Sequence, residues 1–245
     1  MRAAMHPLDA IKGPRSLTAR AFEALRADIV ACRFAPGQRL KIGDLCTRFD
    51  VSLGAIREAL SRLAAEGLVI SEAQKGFRVA PVSRSDLADL TTARVDIESL
   101  ALRRSILHGD VAWEAGIQTA FDRLARMPER SESDAARLND DWAEAHQAFH
   151  GALVAGCNSR WLLRMRSILF EQSERYRRLS VTTGRKDRDV LGEHRRIMDA
   201  TLARDADRAV ALLSEHILMT TRLLIALASA DGGAADAEAA RKRIA

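Results

Sequence analysis

Aromatic residues make up only 4% of this 245-residue sequence. Single-stranded nucleic acid is poorly served by such a surface, because exposed bases stack on aromatic faces. Proline is scarce too, and after Pro81 only Pro128 interrupts the chain. The three cysteines, Cys32, Cys46 and Cys157, are an odd number without CxxC spacing. They read as buried free thiols in or beside helices, not as a disulfide framework. No apolar run reaches membrane-spanning length. The opening MRAAMHPLDAIKGPR has no continuous apolar core ahead of a small-residue cleavage site. A cytoplasmic protein with no membrane partner is expected.

What is present is the balance of a globular chain, 47% hydrophobic and 29% charged, with a formal net charge of +5. That charge is compatible with a polyanionic partner without establishing one, and duplex DNA is the better candidate. Glycine and proline punctuation clusters early, at Gly13-Pro14, Pro36-Gly37, Gly67, Gly76 and Pro81. The change near Pro81 marks a domain boundary. An arm over residues 1–17, a first domain over 18–81, a larger domain over 82–229 and a frayed tail over 230–245 are expected. The larger domain reads as six helices, broken near Gly109-Asp110, Pro128, Gly156-Cys157-Asn158, Gly184 and Arg204-Asp205. It shows no strand-type alternation, so the fold class is mainly α: an antiparallel helical bundle behind a small N-terminal domain.

In the first domain Phe22, Leu25 and Ile29 fall on one face of a helix over 18–33, and Pro36-Gly37 makes a turn. A short helix over 42–49 carries Ile42, Leu45 and Phe49, and Asp50 follows where a left-handed residue is wanted. Ser52 is placed to cap a third helix. Its inner stripe is Ile56, Ala59, Leu60 and Leu63, while Gly54, Arg57, Glu58 and Ser61 face outward; Gly67 ends it. Small residues at its start, Gly54 among them, permit close approach to a major groove. Val69-Ile70 and Phe77-Arg78-Val79 then flank the cationic tip Gln74-Lys75-Gly76 of a β-hairpin. Residues 18–81 therefore read as a winged helix-turn-helix, with Lys41, Arg48, Arg57, Arg62 and Lys75 available to phosphates. One such head buries little DNA, so a homodimer on an inverted repeat is expected.

In the helix over 85–106, Arg94 falls within the apolar stripe Leu87, Leu90, Ile97 and Ala101. An inward arginine needs an anion, either Glu98 one turn on or a ligand carboxylate held bidentately. Four of the six histidines also fall on inward positions. His146 and His150 form an i, i+4 pair with metal-ligand spacing, His194 shares a face with Val190 and Ile197, and His216 with Leu213 and Ile217. Three antiparallel helices can aim four imidazoles at one centre. Imidazole ligation favours Zn²⁺, Ni²⁺, Cu²⁺ or Fe²⁺ over Mg²⁺ and Ca²⁺. A metal-free core packed with histidine is the plain alternative. A metal-dependent hydrolase is the other, with Glu144 or Glu193 as base, although both point away from the metal face.

The segments FAPGQRL, VSLGAIREALSRLAAEGLV and KGFRVAPVS resemble the GntR regulators, in the FadR-type branch with an all-helical, FCD-like C-terminal domain. The likeness runs across nearly the whole chain and implies a DNA-binding transcription regulator, not an enzyme. Ser52, Arg57, Lys75 and Gly76 match positions that contact DNA in such families. Relatives usually carry Arg-Thr-Pro where this chain has Leu53, Gly54 and Ala55. The contacts of that arginine are not carried over, so a different operator is expected. HQAFHGALVAGCNS, EHRRIMDA and LLSEHI look like the stretches that supply metal ligands in FadR-type sensor domains. His150, His194 and His216 match three family histidines, and His146 stands where the fourth ligand is usually aspartate. That departure leaves the metal open, with zinc first, and makes the site less negative, which favours an anionic effector. HQAFH, CNSRWLL and ERYR look most like the glutarate-sensing repressor of the family. The resemblance implies a small organic acid such as a short dicarboxylate, held by Arg94 with a hydrogen bond from Tyr176.

Overall fold

A computed structural model describes residues 17–131, 134, 137–181, 188–223 and 225. The expected arm, apart from Leu17, the expected tail and the break at Gly184 lie outside the described residues. The chain divides into two compact units, Met1–Ser83 and Arg84–Ala245.

Among its described residues the first unit has three helices, α1 (Leu17–Val30), α2 (Ile42–Phe49) and α3 (Leu53–Ala65), and three strands, β1 (Arg39–Leu40), β2 (Val69–Glu72) and β3 (Gly76–Val79). Its core is Phe22, Leu25, Ile29, Leu45, Phe49, Ile56, Leu60 and Leu63, the residues whose helical spacing put them on inner faces. Asp50 ends α2 in the left-handed region at φ 50°, its amide bound to the carbonyl of Cys46. Ser52 caps α3 by accepting the Ala55 amide at 3.3 Å. At the other end Gly67 sits at φ 72°, and the Leu68 amide reaches back to the Leu63 carbonyl at 3.0 Å. This is the six-to-one bond of a Schellman turn, where a side chain would be strained.

The sheet is antiparallel in the order β1-β3-β2, with Val69 opposite Val79 and Leu40 opposite Phe77. Strand β1 is a finding beyond the expected hairpin, since two residues are too few to show alternation. Two cations expected to be available to phosphates are engaged within the unit. Arg48 is bound to the buried Asp28 and lies over the Phe34 and Phe49 rings, and the Arg62 guanidinium lies 3.9 Å from the Phe22 ring centre. A guanidinium on an aromatic face keeps its charge while its stem packs, so neither residue is a plain solvated cation. Of the cysteines, Cys157 is buried, whereas Cys32 and Cys46 are only half-buried.

The described residues of the second unit are helical: α4 (Arg84–His108), α5 (Val111–Ala125), α6 (Asp140–Val154), α7 (Arg160–Val181), α8 (Val190–Leu202) and α9 over residues 206–223, with a 3₁₀ turn at Ala155–Cys157. The breaks have local causes. Asp110, Asn139 and Asp189 each accept a first-turn amide, and Asn158 and Arg204 take left-handed conformations at φ 52° and 58°. Helix α4 packs on α6 and α7, and α5 on α6 and α8. The core of Leu102, Ile117, Phe121, Phe149, Leu153, Ile197 and Leu213 is apolar; the polar cluster described next adjoins it. Among the described residues no helix is long and apolar enough to cross a membrane.

Candidate functional site

On the first unit, Ser52, Gly54, Arg57 and Ser61 line the exposed side of α3, and Lys75 is exposed at the hairpin tip. Nothing but the Ser52 hydroxyl, at 3.9 Å, would touch a methyl group at Gly54. The first turn of α3 is therefore open on its outer side. Leu53 is 52% exposed beside it. At the hairpin tip Gln74 and Gly76 both have positive φ, 61° and 89°. The guanidinium of Arg39 donates to the Lys75 carbonyl at 2.6 Å and so ties the tip to β1. Sequence reasoning missed that tie, because it spans 36 positions with no periodic signature.

In the second unit, α6, α8 and α9 bring His146, His150, His194 and His216 together. All four are buried, and one ring nitrogen or other ligand atom from each lies within 4.8 Å of the rest. The Nε2 atoms of His150 and His194 are 3.2 Å apart. Two nitrogens held tetrahedrally at about 2.05 Å from a zinc ion stand roughly 3.3 Å from each other, so this spacing fits metal ligation. Burial pushes the pKa values of His146, His150 and His194 well below the ordinary imidazole value, and each is made worse by neighbouring positive groups. His216 is lowered by burial as well, with Glu193 pulling the other way. Neutral imidazole is the form that binds a metal. Among the described residues, no hydrogen-bond partner meets the buried Nδ1 atoms of His146, His150 and His194.

One ring is held from outside. Nδ1 of His216 lies 2.7 Å from Glu193 Oε2, and Arg188 binds both that carboxylate and the His216 carbonyl. Burial opposes ionisation of Glu193, but hydrogen bonds from His216 and Arg188 outweigh it and lower its pKa to about 2. A carboxylate behind the ring fixes the tautomer and leaves Nε2 for a metal, the usual outer support of a ligating histidine. Glu144, on the exposed surface, meets Arg123 at 3.3 Å. Neither carboxylate considered as a hydrolytic base faces the cluster as a free base. A cleft of about 360 Å³ opens against His216 and Glu193, lined also by Arg196, Leu212, Glu215 and Met219.

Arg94 is buried and bonded on two sides, Nε to Glu98 at 2.6 Å and Nη1 to the Ser173 hydroxyl at 2.9 Å. The intrahelical partner foreseen from the spacing is therefore present. A second guanidinium, Arg166 on α7, meets the same carboxylate with Nε 3.6 Å from Glu98 Oε2. The phenol of Tyr176 is buried and donates to Asp86 near the start of α4. Arg166, Ser173 and Phe170 were not singled out from the sequence. Their spacing of four and three puts them on one helix face, and that periodicity is the signal that could have found them.

The gntR family of bacterial regulatory proteins matches residues 17–79, and the FCD domain matches residues 89–218. The chain belongs to the GntR family. It is 46% identical over 207 residues to the HTH-type transcriptional regulator BphR of Paraburkholderia xenovorans LB400, covering 84% of each chain. It is 37% identical over 198 residues to the HTH-type transcriptional repressor GlaR of Escherichia coli K12, covering 79% of this chain and 89% of that one. Among solved structures, E. coli McbR/YncC superposes with a TM-score of 0.71 at 18% identity, covering 87% of this chain and 99% of that one. A putative GntR regulator from Rhodococcus sp. RHA1 gives 0.70 at 24%, covering 86% and 99%. At those identities the likeness shows the fold: a winged helix-turn-helix joined to a helical FCD domain. This GntR-family protein is a DNA-binding transcription regulator and not an enzyme, so the hydrolase alternative falls. FCD domains bind small-molecule effectors, and some bind metals.

Proposed function

We propose that this protein is a metabolite-responsive repressor whose four histidines hold one divalent transition metal and whose effector is a small organic acid. The observation that carries this reading is the histidine cluster: four buried, neutral imidazoles from three helices, one of them braced by Glu193. Burying four such rings at one point without a ligand is costly, since unpartnered polar atoms remain. Zn²⁺ suits the donor set, and Ni²⁺, Fe²⁺ and Cu²⁺ are compatible with it. When bound, the metal supplies a positive centre that attracts a carboxylate. Arg94, held in place by Glu98 and Ser173, faces the same region and receives the acid from α4; Tyr176 sets the height of that helix through Asp86.

The protein is proposed to act in the cytoplasm as a homodimer on an inverted repeat, reading each half-site with α3. Arg57 supplies the base contact, Ser52 and Gly76 offer close backbone approach, and Lys75 meets phosphate. With no arginine at positions 53–55, the exposed Leu53 is suited to a thymine methyl group. Helix α4 begins directly after the DNA-binding unit in the chain. An acid held between Arg94 and the histidine cluster would tie α4 to α6, α8 and α9. Its effect on DNA binding equals its differential affinity for the two arrangements of α4.

Elemental analysis of protein stripped with chelator and reloaded tests the reading. About one Zn²⁺ per chain is expected, with a raised melting temperature. A chain that takes up no Zn²⁺, Ni²⁺, Fe²⁺ or Cu²⁺ would reduce the cluster to packing.

A further inference from the structure

Five large apolar side chains of the helical unit are exposed on two neighbouring helices. Trp161, Met165 and Ile168 follow one another at spacings of four and three on α7 and are 58%, 39% and 45% exposed. Leu100 and Leu107, seven residues apart on α4, are 48% and 74% exposed. Such spacings keep each set on one side of its helix. The contacts of Asp86 with Tyr176, Arg94 with Ser173 and Glu98 with Arg166 show that α4 and α7 run antiparallel. Leu100, two residues beyond Glu98, therefore stands level with the turn of α7 that carries Met165. Leu100 directly precedes the buried Ala101, and Met165 directly precedes the buried Arg166. One helical step of about 100° brings both to the outer edge of the seam between the helices, so the two stripes adjoin as one face.

Charges flank the apolar middle of that face unequally. Arg160 and Arg164 are exposed near the start of α7, their guanidinium carbons 5.7 and 5.6 Å from the centre of the Trp161 ring. Asp89 and Asp96 are exposed on α4, and Asp96 is one turn from Leu100. Because the helices are antiparallel, the two carboxylates stand beside the later half of α7, at the opposite end from the two arginines. Among the described residues none of the four charges has an ion-pair partner. One end of the face is basic and the other acidic.

We infer that this face is where a second copy of the chain docks, α4 of each copy lying over α7 of the other across a two-fold axis near Leu100 and Met165. The inference rests on the homodimer reading and supplies its surface. A two-fold interface must complement itself, since the same patch is used on both sides. Here a half-turn lays the apolar middle on its own image and carries Asp89 and Asp96 of one copy to Arg160 and Arg164 of the other. A partner of different sequence would need the same order of charges in reverse, whereas a second copy carries it by symmetry. The five side chains leave on the order of several hundred Å² of apolar surface open, the size of the largest patch a monomer keeps and one that often marks an interface. A specific dimer uses about 800 Å² per partner, built as an apolar middle inside a charged rim.

Sedimentation equilibrium of the full chain, free of DNA, tests the assignment. Wild type should be dimeric at micromolar concentration. Met165→Asp with Ile168→Asp places like charges about the axis and should raise the dimer dissociation constant at least about a hundredfold. Arg164→Asp and Asp96→Arg should each raise it about tenfold, and their combination should return it to within about threefold of wild type, because the pair is rebuilt with its signs exchanged. Helicity by circular dichroism should be unchanged throughout, as all four positions are exposed. If the doubly acidic variant loses helicity, the charge-exchange series decides alone. A wild-type dimer that none of these variants weakens overturns the inference and leaves the homodimer reading standing, with the second copy seated elsewhere. A combination weaker than either single charge variant overturns the two-fold arrangement. A wild type that stays monomeric, alone and on operator DNA, overturns both readings and leaves the face to a different protein.

Discussion

The outer face of α3 and the interior between α6, α7, α8 and α9 use polar residues in opposite ways. On α3, Ser52, Gly54, Arg57 and Ser61 are exposed and await a partner from solution. Inside the helical unit, Arg94, Glu98, Arg166 and four histidines are buried where apolar packing would be cheaper. A surface residue can be exchanged with a local, additive effect. A buried polar residue is coupled to its neighbours, so removing one partner strands another. The two regions should respond differently to the same kind of substitution.

The largest contrast is expected from His194→Ala. Metal content and acid response should be lost together, while operator affinity of the metal-free protein stays within about twofold of wild type. Elemental analysis and operator titration with and without acid measure both arms. Retained metal with normal response would make the interior no more coupled than the surface.

Proton uptake offers a second way to separate the regions. The four buried imidazoles have pKa values below the ordinary value near 6.5. The unfolded chain thus binds more protons than the folded one once pH drops below about 6.5. The stability these groups contribute is complete above that pH and drains away as pH falls. Each imidazole should account for up to about 1.4 kcal/mol per pH unit in metal-free protein. Urea melts at pH 7.5 and 5.5 should show the loss, and a His146→Gln, His150→Gln variant should show a shallower one. An equal slope in that variant would assign the acid sensitivity elsewhere.

On the exposed side, Arg57→Ala should weaken operator binding by roughly 1–3 kcal/mol and relax specificity at the base it contacts. Melting temperature should hardly move, because Arg57 is exposed. The smallest effect belongs to Lys75→Ala at the wing tip. It should weaken specific and random DNA alike and reduce the slope of log affinity against log salt by about one unit. A salt slope unchanged in Lys75→Ala, or full operator affinity in Arg57→Ala, would move the reading face away from α3 and the hairpin.

Much of this was legible beforehand, for reasons that lie in particular residues. The inner stripe of α3 follows from Ile56, Ala59, Leu60 and Leu63, its start from Ser52 and its end from Gly67, all within reach of i, i+3 and i, i+4 neighbours. The pair His146 and His150 is legible in the same way, being one turn apart. Strand β1 escaped because its two residues pair with β3 nearly forty positions away. The coupling of Arg48 and Arg62 to aromatic rings escaped because a charge on a helix surface shows no sign of what lies beneath its stem.

By itself the sequence determined the helices of both units, their caps and the inner faces of α2, α3 and α6, because helical periodicity and capping depend on residues within a turn of each other. Only the tertiary structure decided that Arg94 and Arg166 share Glu98, that Glu193 braces His216, and that Phe170 lies beneath both guanidinium groups and two of the histidines. Those relations join helices tens of residues apart. Their geometry is set by how α4, α6, α7, α8 and α9 pack, and no local pattern in the chain encodes which inward polar group will meet which.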